Sequence, residues 1–185
     1  MIKKINNYFN NSVKLIELKK FKDSRGLFSE LYKKVEYNSI DIKENFIQEN
    51  YSFTNKKNSI RGLHFQKKPF HQSKLITVLE GEILDVVVDL RKNSQYFGKH
   101  KSFILSASNL KQLYIPEGFA HGFKTLKKNT IVIYNLNRYY NPSSEHTIIW
   151  NDKNLKINWK LKNSKPILSL KDKKGLSFNP KHNYF

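Results

Sequence analysis

The sequence predicts an all-β fold, a sandwich or small barrel, and three observations carry that reading. The segment KLITVLEGEILDVVVDLR (residues 74–91) alternates with period two: Leu84, Val86, Val88 and Leu90 fall on one face, Asp85, Val87 and Asp89 on the other. Similar short runs recur at regular spacing along the chain, separated by turn signals, which is the pattern of sandwiches and barrels. No internal repeat or low-complexity linker interrupts the 185 residues. One domain spanning residues 1–185 is therefore expected, large enough to bury a core without disulfide or metal staples.

Taken in order, residues 1–20 alternate weakly through Val13, Leu15, Ile16 and Leu18 and predict an opening strand. In FKDSRGLFSELY (21–32), Asp23-Ser24-Arg25-Gly26 marks a turn followed by an extended piece. The polar stretch 33–45 suits a short helix, FIQENYSF (46–53) a strand carrying Gln48, Glu49 and Asn50, and residues 55–59 a loop. Glu80-Gly81-Glu82 marks a tight turn between two strands. Residues 103–105 and 112–115 are further short strands, PEGFAHGF is read as a turn, and TIVIYNL (130–136) as a strong strand ended by Tyr139-Tyr140-Asn141-Pro142. The C-terminal third is looser, with room for short helices, and residues 173–185 read as a polar tail.

The chain carries 34 lysines and arginines against 15 aspartates and glutamates, a formal charge of +19. The lysines are spread in short pairs such as Lys19-Lys20 and Lys127-Lys128, without an RNA-binding or helix-turn-helix signature. The charge is read as solvated surface that also speeds encounter with an anionic substrate, not as a nucleic-acid footprint. The absence of cysteine excludes disulfides, thiolate metal sites and cysteine nucleophiles. No apolar run reaches bilayer length, and the N-terminus lacks the apolar core and cleavage site of a signal peptide, so no membrane partner and a cytoplasmic location are expected. Only four of the cations are arginine: Arg25, Arg61, Arg91 and Arg138. Against that lysine background an arginine is expected where a planar, bidentate fork is needed, above all at Arg61 and Arg25.

The densest chemistry lies in RGLHFQKKPFHQSKL (61–75), which sets Arg61, His64, Gln66, His71, Gln72 and Lys74 just ahead of the strongest strand-like segment. Ionisable groups gathered at the mouth of a β scaffold are the make-up of a small-molecule site. An acid at Asp85 is natural where its strand face lines a polar cavity. Read in isolation, Tyr134 in its apolar strand is a core residue, His121 satisfies a loop, and Tyr140 is a turn aromatic. His71, His100, His146 and His182 are read as surface residues.

Eight motifs occur in order: DSRGLFSE, QENYS, RGLHFQ with PF.Q.KL, GE..DVVVDLR with S..FGK, IPEGFAHGF, YY.P, I.WND and ILS.KD. Together they resemble the dTDP-4-dehydrorhamnose 3,5-epimerases, isomerases of dTDP-L-rhamnose biosynthesis that supply sugars for surface polysaccharide such as O-antigen. The resemblance runs from about residue 13 to 175 and implies a double-stranded β-helix (a cupin-like jelly roll) with short C-terminal helices. It implies a homodimer with N-terminal strands (1–32) exchanged, a dTDP-linked 4-keto sugar as substrate, and no cofactor or metal. Residue by residue, His64 matches the catalytic base, Asp172 the carboxylate that orients it, Tyr134 the general acid and Lys74 the cation near the keto oxygen. Asp85 and His121 match a second histidine–carboxylate pair, and Tyr140 the aromatic that stacks on the base. Arg25, Glu30, Gln48, Glu49, Asn50, Arg61, Glu145 and Lys171 fall at substrate-contacting positions. This chain departs from the pattern at Glu49, where aspartate is common, at Leu170, often polar, and at Ser143-Ser144.

The chemistry needs these residue types. The carbonyl of a 4-keto sugar acidifies the protons on C3 and C5, and epimerisation removes one and returns one to the opposite face. That calls for a base on one face, an acid on the other and a positive donor where enolate charge develops. Imidazole, phenol and ammonium fill those roles, and the substrate's own carbonyl serves as electron sink. Other readings stay open at this point: an epimerase acting at one carbon, a ketoisomerase, another nucleotide-linked substrate, or a non-catalytic binding module. A metal-dependent cupin is suggested by P-x-G-x-x-H at Pro116–His121. It is opposed by Gln66, which stands where the first cupin motif has its second histidine.

Overall fold

Period-two alternation builds two facing sheets. The computed structural model describes residues 1–185. One sheet has six strands in the order β1 (Ile2–Tyr8), β2 (Val13–Leu18), β10 (Lys111–Ile115), β7 (Lys74–Glu80), β12 (Thr130–Leu136) and β5 (Gln48–Thr54). The other has five, β13 (Glu145–Thr147), β6 (Ile60–Gln66), β11 (Phe119–Thr125), β8 (Glu82–Asp89) and β9 (His100–Ser106). From β5 onward every consecutive pair of strands except β8–β9 crosses between the sheets, which makes an all-β jelly roll, the double-stranded β-helix expected. A short hairpin of β3 (Phe21–Asp23) and β4 (Gly26–Phe28) stands apart from both sheets. The only helices beyond a 3-10 turn at Pro142–Ser144 are α1 (Lys34–Asn38) and the single turn α2 (Leu170–Lys173).

Three apolar layers hold the sheets. Ile76, Val78, Ile83, Val87, Phe123 and Val132 belong to the core between them. The outer face of the five-stranded sheet presents Leu63, Leu84, Val86 and Val88 to the C-terminal segment, which packs Leu155, Trp159, Phe178 and Tyr184 against them. The outer face of the six-stranded sheet is covered around α1, where Tyr37 and Ile42 meet Ile16, Leu75 and Tyr114. Burial on both faces explains why β8 reads as a nearly continuous apolar run.

Several expectations are corrected here. The opening strand is two, β1 and β2, because Phe9, Asn10 and Asn11 all take positive φ and turn the chain back on itself. PEGFAHGF is a turn only through Gly118; Phe119 onward is the buried strand β11. Its glycine is a packing glycine, since a Cβ on Gly122 would lie 2.7 Å from the Arg61 carbonyl oxygen of β6. The short helices expected toward the C-terminus are the 3-10 turn at Pro142–Ser144 and α2. Residues 173–185 are no free polar tail: Phe178 and Tyr184 are buried, and their rings stack at 5.6 Å and 8°. His71 is not a surface residue either, being largely buried and paired with Glu117 at 2.6 Å.

Candidate active site

A cavity of about 660 Å³ is lined from both sheets. In the five-stranded sheet a β-bulge sets its chemistry. His64 on β6 faces His121 on β11, yet Arg61 faces Phe123, so three steps on β6 match two on β11. The extra residue lets Arg61 and His64, an odd number apart, both line the cavity. Gly62 makes it possible: it has φ +106°, and a Cβ there would meet the His121 carbonyl oxygen at 2.6 Å.

His64 Nε2 lies 2.7 Å from Asp172 Oδ1. The same oxygen accepts the Gly62 N–H at 3.0 Å, and Oδ2 accepts the Ser169 hydroxyl at 2.6 Å. Ser169 is also the N-cap of α2, taking the Asp172 N–H at 3.1 Å, so a Ser-x-x-Asp cap both starts the turn and aims the carboxylate. Burial works to raise the Asp172 carboxyl, but the bonds from His64, Ser169 and Gly62 outweigh it and hold it below its ordinary range. An ionised carboxylate only accepts. His64 therefore carries its proton on Nε2, leaving Nδ1 as the free base nitrogen on a ring about a third exposed (32%).

Tyr134 comes from β12 in the other sheet, paired with Asn50 on β5 and Ile76 on β7. The rings of His121 and Phe123 each lie 6.3 Å from its ring. Burial pushes the phenol well above its ordinary pKa, against a Ser52 hydrogen bond and Arg61, so Tyr134 stays protonated and can donate. Behind it His121 Nε2 meets Asp85 Oδ2 at 2.8 Å, with Asp85 fully buried. Lys74 opens β7 opposite Leu136 of β12. Burial pulls its ammonium down to about 8, partly opposed by Glu145.

The rim is cross-tied. Gln48 Oε1 accepts the Tyr140 N–H at 2.9 Å and Gln66 Oε1 the Asn141 N–H at 2.7 Å, so two consecutive amides of one loop are held from opposite sheets. The Tyr140 hydroxyl donates to Glu145 Oε2 at 2.6 Å, which raises the phenol, and Lys171 pairs with the same carboxylate. Burial alone would raise Glu145, but Lys171, Tyr140 and His64 keep it below its ordinary range. Arg25, Arg91 and Arg138 each face a carboxylate, whereas Arg61 has none and its guanidinium hydrogen-bonds only Thr54, at 3.3–3.4 Å. Its fork is free in the cavity for an anion.

The family model described as dTDP-4-dehydrorhamnose 3,5-epimerase matches residues 10–180. The dTDP-4-dehydrorhamnose 3,5-epimerase of Salmonella typhimurium is 46% identical over 161 residues, covering 86% of this chain and 87% of its own. The crystal structure of the Bacillus anthracis dTDP-4-dehydrorhamnose 3,5-epimerase, with TDP and PPi bound, superposes with a TM-score of 0.92 at 44% identity, over 96% of this chain and all of that one (100%). The chain belongs to the dTDP-4-dehydrorhamnose 3,5-epimerase family. A further member from Legionella pneumophila, in complex with dTDP-4-keto-L-rhamnose, gives a TM-score of 0.89 at 39% identity, over 94% and 92% of the two chains.

His64, Tyr134, Asp172, Lys74, Arg61, His121, Asn50, Tyr140, Glu145 and Lys171 line one cavity. Glu49 borders it, but its carboxylate is engaged by the Asn135 amide at 2.7 Å, on the strand position that alternates away from Tyr134. Asp85 does not line the cavity as expected: it sits behind His121, where that imidazole screens it. Gln48 lies outside the lining and holds Tyr140 and Asn50 instead. Arg25 and Glu30 are elsewhere in this chain, Arg25 paired with Asp23 on the exposed β3–β4 hairpin and Glu30 beside the Met1 ammonium at 3.4 Å. The unassigned lining residues include Ser52, Gln66, Gln72 and Ser169. The Ser-x-x-Asp spacing could have found Ser169 as a cap, and the Gln-x-Lys spacing could have placed Gln72 beside Lys74 on one face of an extended chain.

Proposed function

We propose that this chain epimerises dTDP-4-dehydro-6-deoxy-D-glucose at C3 and C5 to dTDP-4-dehydro-L-rhamnose, an isomerase step of dTDP-L-rhamnose biosynthesis in the cytoplasm. The observation that carries the mechanism is a carboxylate-backed imidazole and a protonated phenol, on different sheets, lining one cavity. His64 Nδ1 takes the proton from the acidified carbon, and Asp172 steadies the imidazolium that results. Lys74 offers its ammonium to the enolate oxygen as charge develops. Tyr134 delivers a proton from the opposite face, and solvent restores both groups. Arg61 and Lys171 grip the diphosphate, and Tyr140 stacks on the base; the free fork of Arg61 supports this assignment.

Arg25 and Glu30 belong in this reading to the cavity of a second copy. β1 and β2 are already built into the sheet of their own chain, so the element that reaches across is the β3–β4 hairpin. It stands clear of both sheets with Phe21, Leu27 and Phe28 exposed, apolar surface that a homodimer covers. The test of the reaction is incubation of the chain with dTDP-4-dehydro-6-deoxy-D-glucose in deuterium oxide. Deuterium at both C3 and C5 is expected; deuterium at one carbon alone makes the chain a mono-epimerase, and none at either overturns the reading.

A further inference from the structure

The only hydrogen-bond acceptor for Lys74 Nζ in this structure is the side-chain oxygen of Gln72, at 3.0 Å. Gln72 is buried, lines the cavity, and donates its amide N–H to the Arg138 carbonyl oxygen at 2.7 Å. A carbonyl only accepts, so that bond fixes which end of the amide is nitrogen and forces the oxygen toward Lys74. The backbone around the pair is pinned as well: the Ser73 N–H donates to Asn137 Oδ1 at 2.8 Å, and His71 binds Glu117 at 2.6 Å. No carboxylate is paired with Lys74, although the chain's other cavity ammonium, Lys171, is paired with Glu145.

We propose that Gln72 is a positioning residue for Lys74, holding its ammonium in the cavity with a neutral acceptor so that the full positive charge is left for the enolate oxygen. A carboxylate at this place would neutralise the ammonium, and an aliphatic side chain would release it into the rotamers of a long flexible stem. The bond to Arg138 gives the amide its direction, so the β12-to-rim segment sets where the charge stands. This inference rests on the reading of Lys74 as the enolate's cation.

The test is a double-mutant cycle on turnover, with Gln72→Met, Lys74→Met and the pair, each checked for an unchanged melting temperature. Gln72→Met is expected to lower kcat about ten- to a hundredfold, the worth of a hydrogen bond to a charged group, with KM within about threefold, because the lost interaction matters only once enolate charge forms. In the Lys74→Met background the same substitution is expected to change kcat less than about threefold, since nothing is left to position. Equal effects in both backgrounds, or a loss confined to KM, overturn the proposal and leave Gln72 as a structural tie to Arg138. Should Lys74→Met alone turn over like the unaltered chain, the enolate-cation reading fails first, and that outcome is separate from the other two.

Discussion

Replacing Asp172 with asparagine separates the two things its carboxylate does for His64. Oδ1 accepts both the Gly62 N–H at 3.0 Å and the His64 Nε2 proton at 2.7 Å. An asparagine NH₂ placed there would face two donors, so the amide must keep its oxygen at that position and turn its nitrogen to the Ser169 hydroxyl, which can accept. The imidazole tautomer is preserved and only the charge is lost. A unit pair about 4 Å apart is worth about 4 kcal/mol at an effective dielectric near 20. His64 keeps 32% of its side-chain surface open to the cavity, and solvent screening there is taken to halve the effect, to about 2 kcal/mol. Asp172→Asn is then expected to lower kcat about thirtyfold, and no more than about a thousandfold, with KM little changed because the imidazolium exists only after proton removal. Asp172→Ala, which also frees the tautomer and strands the Gly62 N–H, falls further. Steady-state rates followed by NMR of the sugar nucleotide read both. An asparagine variant within threefold of the unaltered chain, or one whose loss lies in KM, refutes the carboxylate-backed base.

The remaining predictions address the cation, the nucleotide grip and the assembly. Burial draws Lys74 down to about 8; its charged form is the useful one, so its contribution to kcat/KM is complete below that pH and is lost as pH rises through it. Lys74→Met should lack that alkaline limb, and a limb that persists unchanged assigns it to another group. Tyr140→Ala removes base stacking worth about 1–3 kcal/mol, so dTDP affinity measured by calorimetry should drop about 5- to 150-fold; an unchanged affinity takes Tyr140 out of the nucleotide site. Sedimentation at micromolar concentration should give a dimer mass, and a fully active monomer contradicts the exchange of the β3–β4 hairpin.

Much of this site was legible because its residues fall in short motifs with fixed chemistry. RGLH and LKD are 108 residues apart at His64 and Asp172, and only the family resemblance joins them; no local pattern does. Strand alternation located β8 and β12 and put Asp85 on the inward face. It could not say that an imidazole would lie between Asp85 and the cavity. The β6 bulge was invisible because it is a property of pairing with β11, not of β6 alone. PEGFAHGF misled for a related reason: glycine signals a turn and a close strand approach equally well, and Gly122 does the second. The C-terminal residues looked like a polar tail because Phe178 and Tyr184 are sparse in sequence, although both pack on the outer face of the five-stranded sheet.

The central claim is that proton removal and proton delivery come from two sheets, by His64 on β6 and Tyr134 on β12. It is tested most directly by incubating His64→Ala and Tyr134→Phe with dTDP-4-dehydro-6-deoxy-D-glucose in deuterium oxide and reading position and stereochemistry of the label by NMR. His64→Ala has nothing to form the enolate, so exchange and inversion should both vanish. Tyr134→Phe keeps the base and the Lys74 ammonium, so deuterium should enter with retained configuration while inversion is much reduced. Inversion at the full rate in Tyr134→Phe, or exchange persisting in His64→Ala, contradicts the account.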